Sequence, residues 1–482
     1  MKNFIFLKAI ILCCLFAQSC LPVRIMRFNR PEIDDAVLFK CDTVKAATKP
    51  FRFVEPKGYK PLPDMAYWAK KESPFDGNLS VEEFLTKTKT SSFLVIRNDS
   101  ILYENYFNGY HADDPVIIFS VTKAIVTTLV GIALKEGHLK STQQKVVEFI
   151  PAFAVDERRD ITIEHLLQMT SGLNMLDYKD FFKIGALYYS NDLEHFIKKI
   201  KIKHKPGTHF AYKSLDTQIL GLCLEKATGK RLSDYLEEKL WKPMGMECDA
   251  YITLDRQDMP RYYGGMAACA RDLAKFGKLF MNNGSWEGKQ LVPTEWVTRG
   301  TTIAPRPDSW WGYSTGWWLH TLDRNMQEKQ DFAAAGFSGQ RIYVNPESNM
   351  IIVRQGNRDE KINWTSLCSR LSNLLNNCTP RGCNIADILP QQMEGRYQAK
   401  GDFMMRLVQR NERKWILHWG FLGLIRTRFE VESPRCLFSK RRQHRLIFES
   451  DSTQQEVVGL HYDFLDKMRY YEKVVAPDSS GD

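Results

Sequence analysis

The sequence predicts an α+β domain, in which helices flank an antiparallel sheet built from N- and C-terminal hairpins, followed by a small all-β domain. Two observations predict the first domain. β-Rich runs with turns between them occur near both of its ends, and the segments between them carry apolar residues at helical spacing. A third observation, a series of short apolar runs after residue 389, predicts the all-β domain.

The first hairpin is predicted at residues 91–107, where two β-rich runs surround Asn98-Asp99. The second hairpin is predicted at residues 340–357, with its turn between Asn345 and Asn349. Because the two hairpins lie at opposite ends of the domain, we expect them to share one sheet. Helical spacing of apolar residues marks the intervening segments 121–137, 163–169, 215–239 and 270–283.

The 482 residues have room for more than one domain. The α+β domain is predicted at residues 76–372, after an N-terminal extension at residues 21–75. A polar stretch that contains proline and glycine predicts a linker at residues 373–388. Short β-rich runs at near-regular spacing then predict a small β-barrel or sandwich at residues 389–475.

Residues 1–20 have the pattern of an export signal. Lys2 and Lys8 precede an apolar run from Ala9 to Ala17 that is too short to span a bilayer. The run ends just before Cys20 and resembles the lipobox of bacterial lipoproteins, which implies lipidation of Cys20 and a membrane anchor at the cell envelope, facing the periplasm or the cell surface. The alternative is an ordinary cleaved signal in which Cys20 has no role.

Charge and cysteine content exclude several classes of partner. Lys+Arg 67 against Asp+Glu 57 give a net charge of +10, but the basic residues are scattered, so we expect no nucleic-acid partner. The cysteines have irregular spacing without histidine partners, so we expect no metal site, and no cofactor motif is present. Cys378 and Cys383 could close a small disulfide loop, or the cysteines could remain buried free thiols.

The strongest chemical signal is Ser120-Val121-Thr122-Lys123, at the start of an amphipathic helix. Residues three apart lie on one helix face, so the lysine amine can approach the serine hydroxyl. A serine needs such a base to become a nucleophile, and the N–H groups at the helix start favour an oxyanion. The alternative is a serine that only caps the helix.

Two further segments carry candidate site residues. Tyr212 and Ser214 stand two positions apart at a loop-to-helix junction. The segment Ala335-Gly336-Phe337-Ser338-Gly339-Gln340 opens the last hairpin, and its glycines permit a close approach of the backbone to a ligand.

A competing motif, Gly312-Tyr313-Ser314-Thr315-Gly316, fits the G-x-S-x-G pattern of a nucleophile elbow, and Asp331 and His418 could nominally complete its triad. Its flanks are tryptophans instead of a strand and a helix. We therefore predict that this segment is a strand whose aromatic residues line the core or the cleft.

The order and spacing of the three segments resemble the serine β-lactamase and penicillin-binding-protein superfamily, whose motifs are S-x-x-K, Y-x-N or Y-x-S, and a K/H/W-x-G strand. The segments 161–173, 221–246 and 264–284 resemble class C β-lactamase-like serine hydrolases, closest in motif form to 6-aminohexanoate-oligomer hydrolases and related esterases. The resemblance covers roughly residues 76–365 and implies the β-lactamase/transpeptidase-like fold.

By this resemblance, Ser120 matches the acylated nucleophile, Lys123 the base or its proton partner, and Tyr212 the phenol that relays protons. Ser214 holds Lys123 or the substrate. Phe337, Ser338, Gly339 and Gln340 line the substrate and oxyanion site, with the N–H groups of Ser120 and Gln340 as the oxyanion hole. No cofactor is implied.

Phe337 replaces the lysine or histidine of the third motif, which removes a cation for a substrate carboxylate and favours esters or uncharged amides. The alternative is that Phe337 turns into the core and Lys179 or Lys183 meets the carboxylate. The sequence therefore predicts an exported serine hydrolase for a small ester or amide, possible substrates including linear amides and β-lactam-like compounds. The alternatives are a penicillin-recognising binding or sensor protein, a D-Ala-type peptidase with slow or no turnover, and a catalytically silent domain.

Overall fold

The computed structural model describes residues 30–55, 62, 79–175, 177, 181–302, 312–319, 331–357 and 362–377, and eight strands between residues 395 and 474. Within these ranges, the residues up to Ser372 belong to one compact unit and those from Asn373 to a second. The predicted leader with Cys20, and the predicted loop between Cys378 and Cys383, lie outside the described residues.

Helices make up much of the first unit. Each of the four segments with helical spacing contains helix. The first helix of the unit, α1 (Val81–Lys87), begins with a capping box, in which the Ser80 side chain accepts from the Glu83 N–H over 3.1 Å and the Glu83 side chain accepts from the Ser80 N–H over 2.8 Å. In the ranges that the structure describes, no helix is both long and apolar enough to cross a membrane. The helices are α1 (Val81–Lys87), α2 (Val121–Lys135), α3 (Ile163–Leu167), α4 (Phe181–Tyr189), α5 (Leu193–Lys199), α6 (Ser214–Thr228), α7 (Leu232–Leu236), α8 (Ala270–Met281), α9 (Thr294–Thr301) and α10 (Trp364–Asn377).

One predicted helix is divided in the structure. The prediction of a single helix over residues 215–239 is wrong, because α6 ends at Thr228 and the residue that caps it, Gly229, adopts a left-handed conformation with φ 68°. The chain then continues as α7 and a π-helical turn at Glu237–Trp241. A glycine at this position gives the left-handed C-cap without the strain that a Cβ would add.

The larger sheet of the first unit is antiparallel, with the order β3-β2-β13-β12-β11-β10-β9. Val95 of the N-terminal hairpin faces Ile352 of the C-terminal hairpin across one strand pair. The prediction that the two hairpins share a sheet is confirmed, and so is the α+β class. The strands are β2 (Thr90–Arg97), β3 (Ser100–Tyr106), β9 (Gly312–Ser314), β10 (Trp317–Leu319), β11 (Phe332–Ala335), β12 (Arg341–Asn345) and β13 (Met350–Gly356).

The segment 312–319 differs from its prediction as one strand. It forms a tight hairpin of β9 and β10, because Thr315 and Gly316 adopt positive φ values of 42° and 90°. Gly316 is required here since a Cβ at this position would lie 2.5 Å from Ala124 Cα of α2. The turn therefore packs directly against the helix that begins after Ser120.

A smaller antiparallel sheet has the order β1-β5-β6-β4, and a two-stranded pair completes the first unit as described. In this smaller sheet β4 leads to α2, so it sets where that helix starts. These strands are β1 (Cys41–Val44), β4 (Val116–Ile117), β5 (Ala250–Thr253) and β6 (Met266–Ala268), and the pair is β7 (Ser285–Trp286) with β8 (Lys289–Gln290).

The core of the first unit surrounds α2, in which every residue from Val121 to Ala133 is buried. Helix α8 belongs to the same core, and Gly277 allows it to lie close to β12 and β13, because a Cβ there would lie only 3.0 Å from Ile342 and 3.1 Å from Ile351. A helix buried on all sides is held rigidly, which suits the placement of a reactive group at its start.

Beyond the end of α10, the described residues of the second unit form antiparallel strands. Each strand pairs with the next, and the first also pairs with the last. The all-β character predicted for this part of the chain is confirmed. The strands are β14 (Gly395–Gln398), β15 (Met405–Asn411), β16 (Lys414–Trp419), β17 (Ile425–Ser433), β18 (Cys436–Ser439), β19 (His444–Ser450), β20 (Val457–Phe464) and β21 (Lys467–Val474).

Candidate active site

Ser120 lies directly before α2, at the N-cap position. Phe119 precedes it with φ 46°, a left-handed conformation that is unusual for a bulky side chain and costs on the order of 1 kcal/mol or more. Such strain persists only where the surroundings fix the backbone, and Phe119 is buried. The Ser120 N–H group has no hydrogen-bond acceptor among the described residues, as expected for the first turn of a helix.

Lys123 is fully buried and its amine lies among three oxygen atoms. Its Nζ is 2.8 Å from Ser120 Oγ, 3.0 Å from Ser214 Oγ and 2.9 Å from the Tyr263 carbonyl oxygen. The structure therefore brings together Ser120, Lys123 and Ser214, as the sequence predicts.

Burial lowers the pKa of Lys123 to about 8, because the charged ammonium loses its hydration, and the negative charge of Asp177 acts in the opposite direction. A neutral amine has two N–H donors and one lone pair. The Tyr263 carbonyl and Ser214 Oγ can accept the two N–H groups, which leaves the lone pair for the Ser120 hydroxyl. This arrangement can take a proton from Ser120 near neutral pH.

Asp177 is a site residue that the sequence analysis missed. It accepts hydrogen bonds from the Ser214 backbone N–H over 2.9 Å and from Ser214 Oγ over 2.5 Å. Because the Ser214 hydroxyl donates to Asp177, its oxygen is left to accept from Lys123. Burial raises the pKa of Asp177, while the Lys123 and Ser214 contacts act to lower it. No local motif marks this aspartate, since its partner Ser214 lies far along the chain.

The ring of Tyr212 lies beside the Lys123 amine. Its ring centroid is 5.1 Å from Lys123 Nζ, which places the tyrosine in the same cluster as the S-x-x-K pair. The ring also contacts Tyr313 and Trp318, with centroids 5.6 and 5.4 Å away. The aromatic residues of the G-x-S-x-G segment therefore pack beside the candidate site.

The third motif forms a single 3-10 turn, Phe337–Gly339, between β11 and β12. Ser338 and Gly339 adopt positive φ values of 58° and 84°. A Cβ at Gly339 would lie 2.5 Å from Arg354 Nη1, so only glycine fits there. The fully buried Arg354 donates hydrogen bonds to the Ser338 and Thr88 carbonyls and to Thr90 Oγ1, which fixes the turn.

Gln340 follows this turn, and its side chain bonds the Gly356 backbone through both of its amide atoms. Its own backbone N–H is 3.5 Å from the Phe337 carbonyl, at the limit of a hydrogen bond. This donor is therefore weakly engaged and can serve a stronger acceptor.

Phe337 does not turn into the core. Its side chain is 46% exposed, and its ring meets that of Phe119 edge-to-face with centroids 5.5 Å apart. Of the two lysines considered as an alternative cation, Lys183 donates to the Asn174 carbonyl over 3.0 Å, and Lys179 lies outside the described residues. Phe337 thus forms an apolar wall beside the residue that precedes Ser120.

Ser314 of the competing motif is fully buried and donates to the Arg299 carbonyl over 2.7 Å. It lies on β9 of an antiparallel hairpin, without the strand-to-helix turn that an elbow requires. Asp331 bonds Tyr343 and Ser369 instead, and the His418 side chain lies outside the described residues. Within the described part of the chain, no cluster of His, Cys, Asp or Glu side chains is arranged for a metal.

Comparison with known proteins agrees with this geometry. The family model of the beta-lactamases matches residues 80–363. The chain belongs to the beta-lactamase family. It is a serine hydrolase whose relatives include proteins named as hydrolases and carboxypeptidases. The beta-lactamase match spans the α+β unit from α1 to the end of β13 and includes all three motif segments.

Among curated relatives of this beta-lactamase-family chain, the 6-aminohexanoate-dimer hydrolase of Paenarthrobacter ureafaciens is 26% identical over 303 residues, which cover 57% of this chain and 74% of the relative. A candidate D-alanyl-D-alanine carboxypeptidase of Escherichia coli K12 is 20% identical over 341 residues, covering 55% and 78%. The predicted resemblance to 6-aminohexanoate hydrolases is confirmed.

Solved structures share the fold. A candidate 6-aminohexanoate-dimer hydrolase from Bacillus anthracis has a TM-score of 0.62 at 22% identity, covering 72% of this chain and 92% of that chain. A candidate beta-lactamase from Bacteroides dorei has a TM-score of 0.52 at 21% identity, covering 60% and 95%. The beta-lactamase-like fold of the chain rests on these neighbours as well as on the family match.

Proposed function

We propose that the protein is an exported serine hydrolase that cleaves a small ester or amide through an acyl-enzyme on Ser120. One observation carries the proposal: the buried Lys123 amine, with its pKa lowered to about 8, lies 2.8 Å from the Ser120 hydroxyl oxygen. An adjacent base of this kind converts a serine into a nucleophile.

In the proposed mechanism, Ser120 Oγ attacks the carbonyl carbon while its proton passes to Lys123. The negative charge that develops on the carbonyl oxygen is stabilised by the N–H groups of Ser120 and Gln340, whose present acceptors are absent or weak among the described residues. Collapse of the intermediate breaks the bond to the leaving group, which takes up a proton. Water then attacks the acyl-enzyme and releases the acid.

Tyr212 is proposed to deliver the proton to the leaving group. Its ring lies 5.1 Å from the Lys123 amine, so a proton held by the amine has a short path to the tyrosine. Ser214 and Asp177 are proposed to hold the amine in place, Ser214 by direct contact with Lys123 and Asp177 through Ser214.

The substrate class follows from the walls of the site and from the relatives. Phe337 and Phe119 form an apolar wall, and aromatic residues surround Tyr212, so we propose a substrate with an apolar segment next to its ester or amide. The similarity to a 6-aminohexanoate-dimer hydrolase supports a linear amide. A D-alanyl peptidase is a second candidate, supported by the Escherichia coli relative.

Labelling with a fluorophosphonate tests this proposal. We expect the label on Ser120, and we expect Ser120→Ala to lose at least ~10³-fold of kcat/KM on short esters, since catalytic partners act as a unit. Ser314→Ala is the control for the competing motif. A label on Ser314, or an active Ser120→Ala variant, would contradict the mechanism.

Export with a lipid anchor on Cys20 is the remaining part of the proposal. The apolar run stops just before Cys20 and the chain after it turns basic. One acyl chain holds a protein to a membrane only marginally, so a firm anchor needs more than one. Mass spectrometry of the mature N-terminus should find an acylated Cys20, and an unmodified N-terminus elsewhere would end this part of the proposal.

A further inference from the structure

Arg30, far from the motifs in sequence, contacts the third motif. Its Nη2 donates a hydrogen bond to Ser338 Oγ over 3.3 Å, and its guanidinium carbon lies 4.9 Å from the centre of the Phe337 ring. Both partners belong to the turn that we place in the substrate site. The N-terminal segment thus contributes a cation to a motif that lacks one of its own.

The backbone next to Arg30 is held by the first unit. Ile33 is fully buried, its N–H is 3.3 Å from Asn357 Oδ1, and its carbonyl accepts from the Ile117 N–H over 2.8 Å. Two residues further on, Asp35 accepts from the Tyr188 hydroxyl over 3.1 Å. Arg30 is therefore only three residues from a fixed point beside the start of α2.

Toward the described residues, the guanidinium of Arg30 uses only one of its hydrogen-bond donors. A guanidinium carries five N–H donors, and the described residues supply one acceptor, Ser338 Oγ, and no acidic partner. The side chain is exposed, and the ring beneath it is 46% exposed. An exposed guanidinium with free donors binds a carboxylate through two parallel hydrogen bonds.

We infer that Arg30 binds a carboxylate of the substrate, so that the protein acts on esters or amides that carry an anionic group next to an apolar segment. The inference rests on the proposed function. It replaces the expectation, drawn from Phe337 alone, that the substrate is uncharged. Phe337 contributes the apolar wall, and the cation is Arg30 of the N-terminal segment instead of a residue of the third motif.

Two matched pairs of esters test whether Arg30 binds a substrate carboxylate. The first pair is 4-nitrophenyl hydrogen glutarate and its methyl ester, with the carboxylate on the acyl side. The second is 4-carboxyphenyl butanoate and its methyl ester, with the carboxylate on the leaving group. In at least one pair, the wild-type protein should prefer the anion, and Arg30→Gln should lower the anionic-to-neutral ratio of kcat/KM about tenfold. Arg30→Lys should retain part of the preference.

Arg52→Gln is the matched control, because it removes the same charge from an exposed arginine of the same N-terminal segment. It should leave the ratio unchanged. An unchanged ratio in Arg30→Gln for both pairs, or an equal fall in Arg52→Gln, would overturn the inference.

The proposed function fails separately, if the wild-type protein hydrolyses none of the four esters or if Ser120→Ala keeps its activity. In that case, calorimetric titration of the wild-type protein with the anionic esters still tests Arg30. About tenfold weaker binding to Arg30→Gln would support the inference, and equal binding would overturn it.

Discussion

Ser214 donates to Asp177 through two groups: its backbone N–H is 2.9 and 3.0 Å from the two carboxylate oxygens, and its hydroxyl is 2.5 Å from one of them. The Ser214 oxygen is in turn 3.0 Å from the Lys123 amine. The Asp177 carboxylate therefore acts on the proposed base in two ways, through its charge and through the orientation of the Ser214 hydroxyl between them. The pH dependence of the reaction should therefore respond to changes at both Lys123 and Asp177.

The activity should depend on the ionisation of Lys123. Because burial lowers the pKa of Lys123 to about 8 and the mechanism needs the neutral amine, kcat/KM should rise with pH through about 8. Lys123→Met should lose at least ~10³-fold of turnover, since Ser120 then has no base. A profile measured on a neutral ester that is flat between pH 6 and 10 would contradict the role of Lys123.

Asp177→Asn should shift the rise of kcat/KM with pH to lower pH. The negative charge of Asp177 raises the pKa of Lys123, so its removal makes the amine easier to deprotonate. The control is Asp331→Asn, which changes another carboxyl of the first unit whose pKa is raised by burial, one held by Tyr343, and should leave the pH dependence unchanged. If kcat/KM of Asp177→Asn rises at the same pH as in the wild-type protein, or at higher pH, the carboxylate does not act on the amine as proposed.

Arg354→Met should destabilise the first unit. It removes a buried guanidinium that bonds the Ser338 and Thr88 carbonyls, and the orphaned acceptors should lower the free energy of unfolding by about 3 kcal/mol. Urea unfolding measures this loss. Because the Ser338 carbonyl belongs to the third motif, kcat/KM should also fall in the folded variant. A fully stable Arg354→Met protein would mean that other contacts hold the turn.

Gly316→Ala should lower the free energy of unfolding by more than the strain of a positive φ alone explains. Its Cβ would lie 2.5 Å from Ala124 Cα and 2.9 Å from the Lys123 carbonyl carbon, so the turn must shift away from α2. We expect a loss of about 3 kcal/mol in the free energy of unfolding. The control is Gly288→Ala, with φ 79° and open space around its Cβ, which should lose only about 1 kcal/mol. Equal losses would contradict tight packing of the turn.

The fold was predictable where the signal is local. The Asn98-Asp99 turn, the helical spacing of α2 and the S-x-x-K pair all depend on residues a few positions apart. The helix break at Gly229 and the turn at Gly316 were not predicted, because the first depends on a left-handed φ and the second on the close approach of α2. Asp177 and Arg30 were missed for a related reason. Each reaches the site only after folding brings together parts of the chain that are far apart in sequence, and no spacing rule records such a contact.

Because Arg30 contacts the third motif, the length of chain between Cys20 and Arg30 limits how far the site can lie from a membrane to which Cys20 is anchored. Arg30 follows Cys20 by ten residues, and ten residues at full extension reach at most about 35 Å. With a lipid on Cys20, as proposed, the entrance to the site could not move farther than this from the membrane surface. The enzyme would then sample a layer about as thick as the bilayer, and compounds held at or released from that surface would reach it at a high effective concentration. The length of the segment between Cys20 and Arg30 would therefore restrict the enzyme to substrates near the membrane surface, whatever chemical selectivity the side chains of the site add.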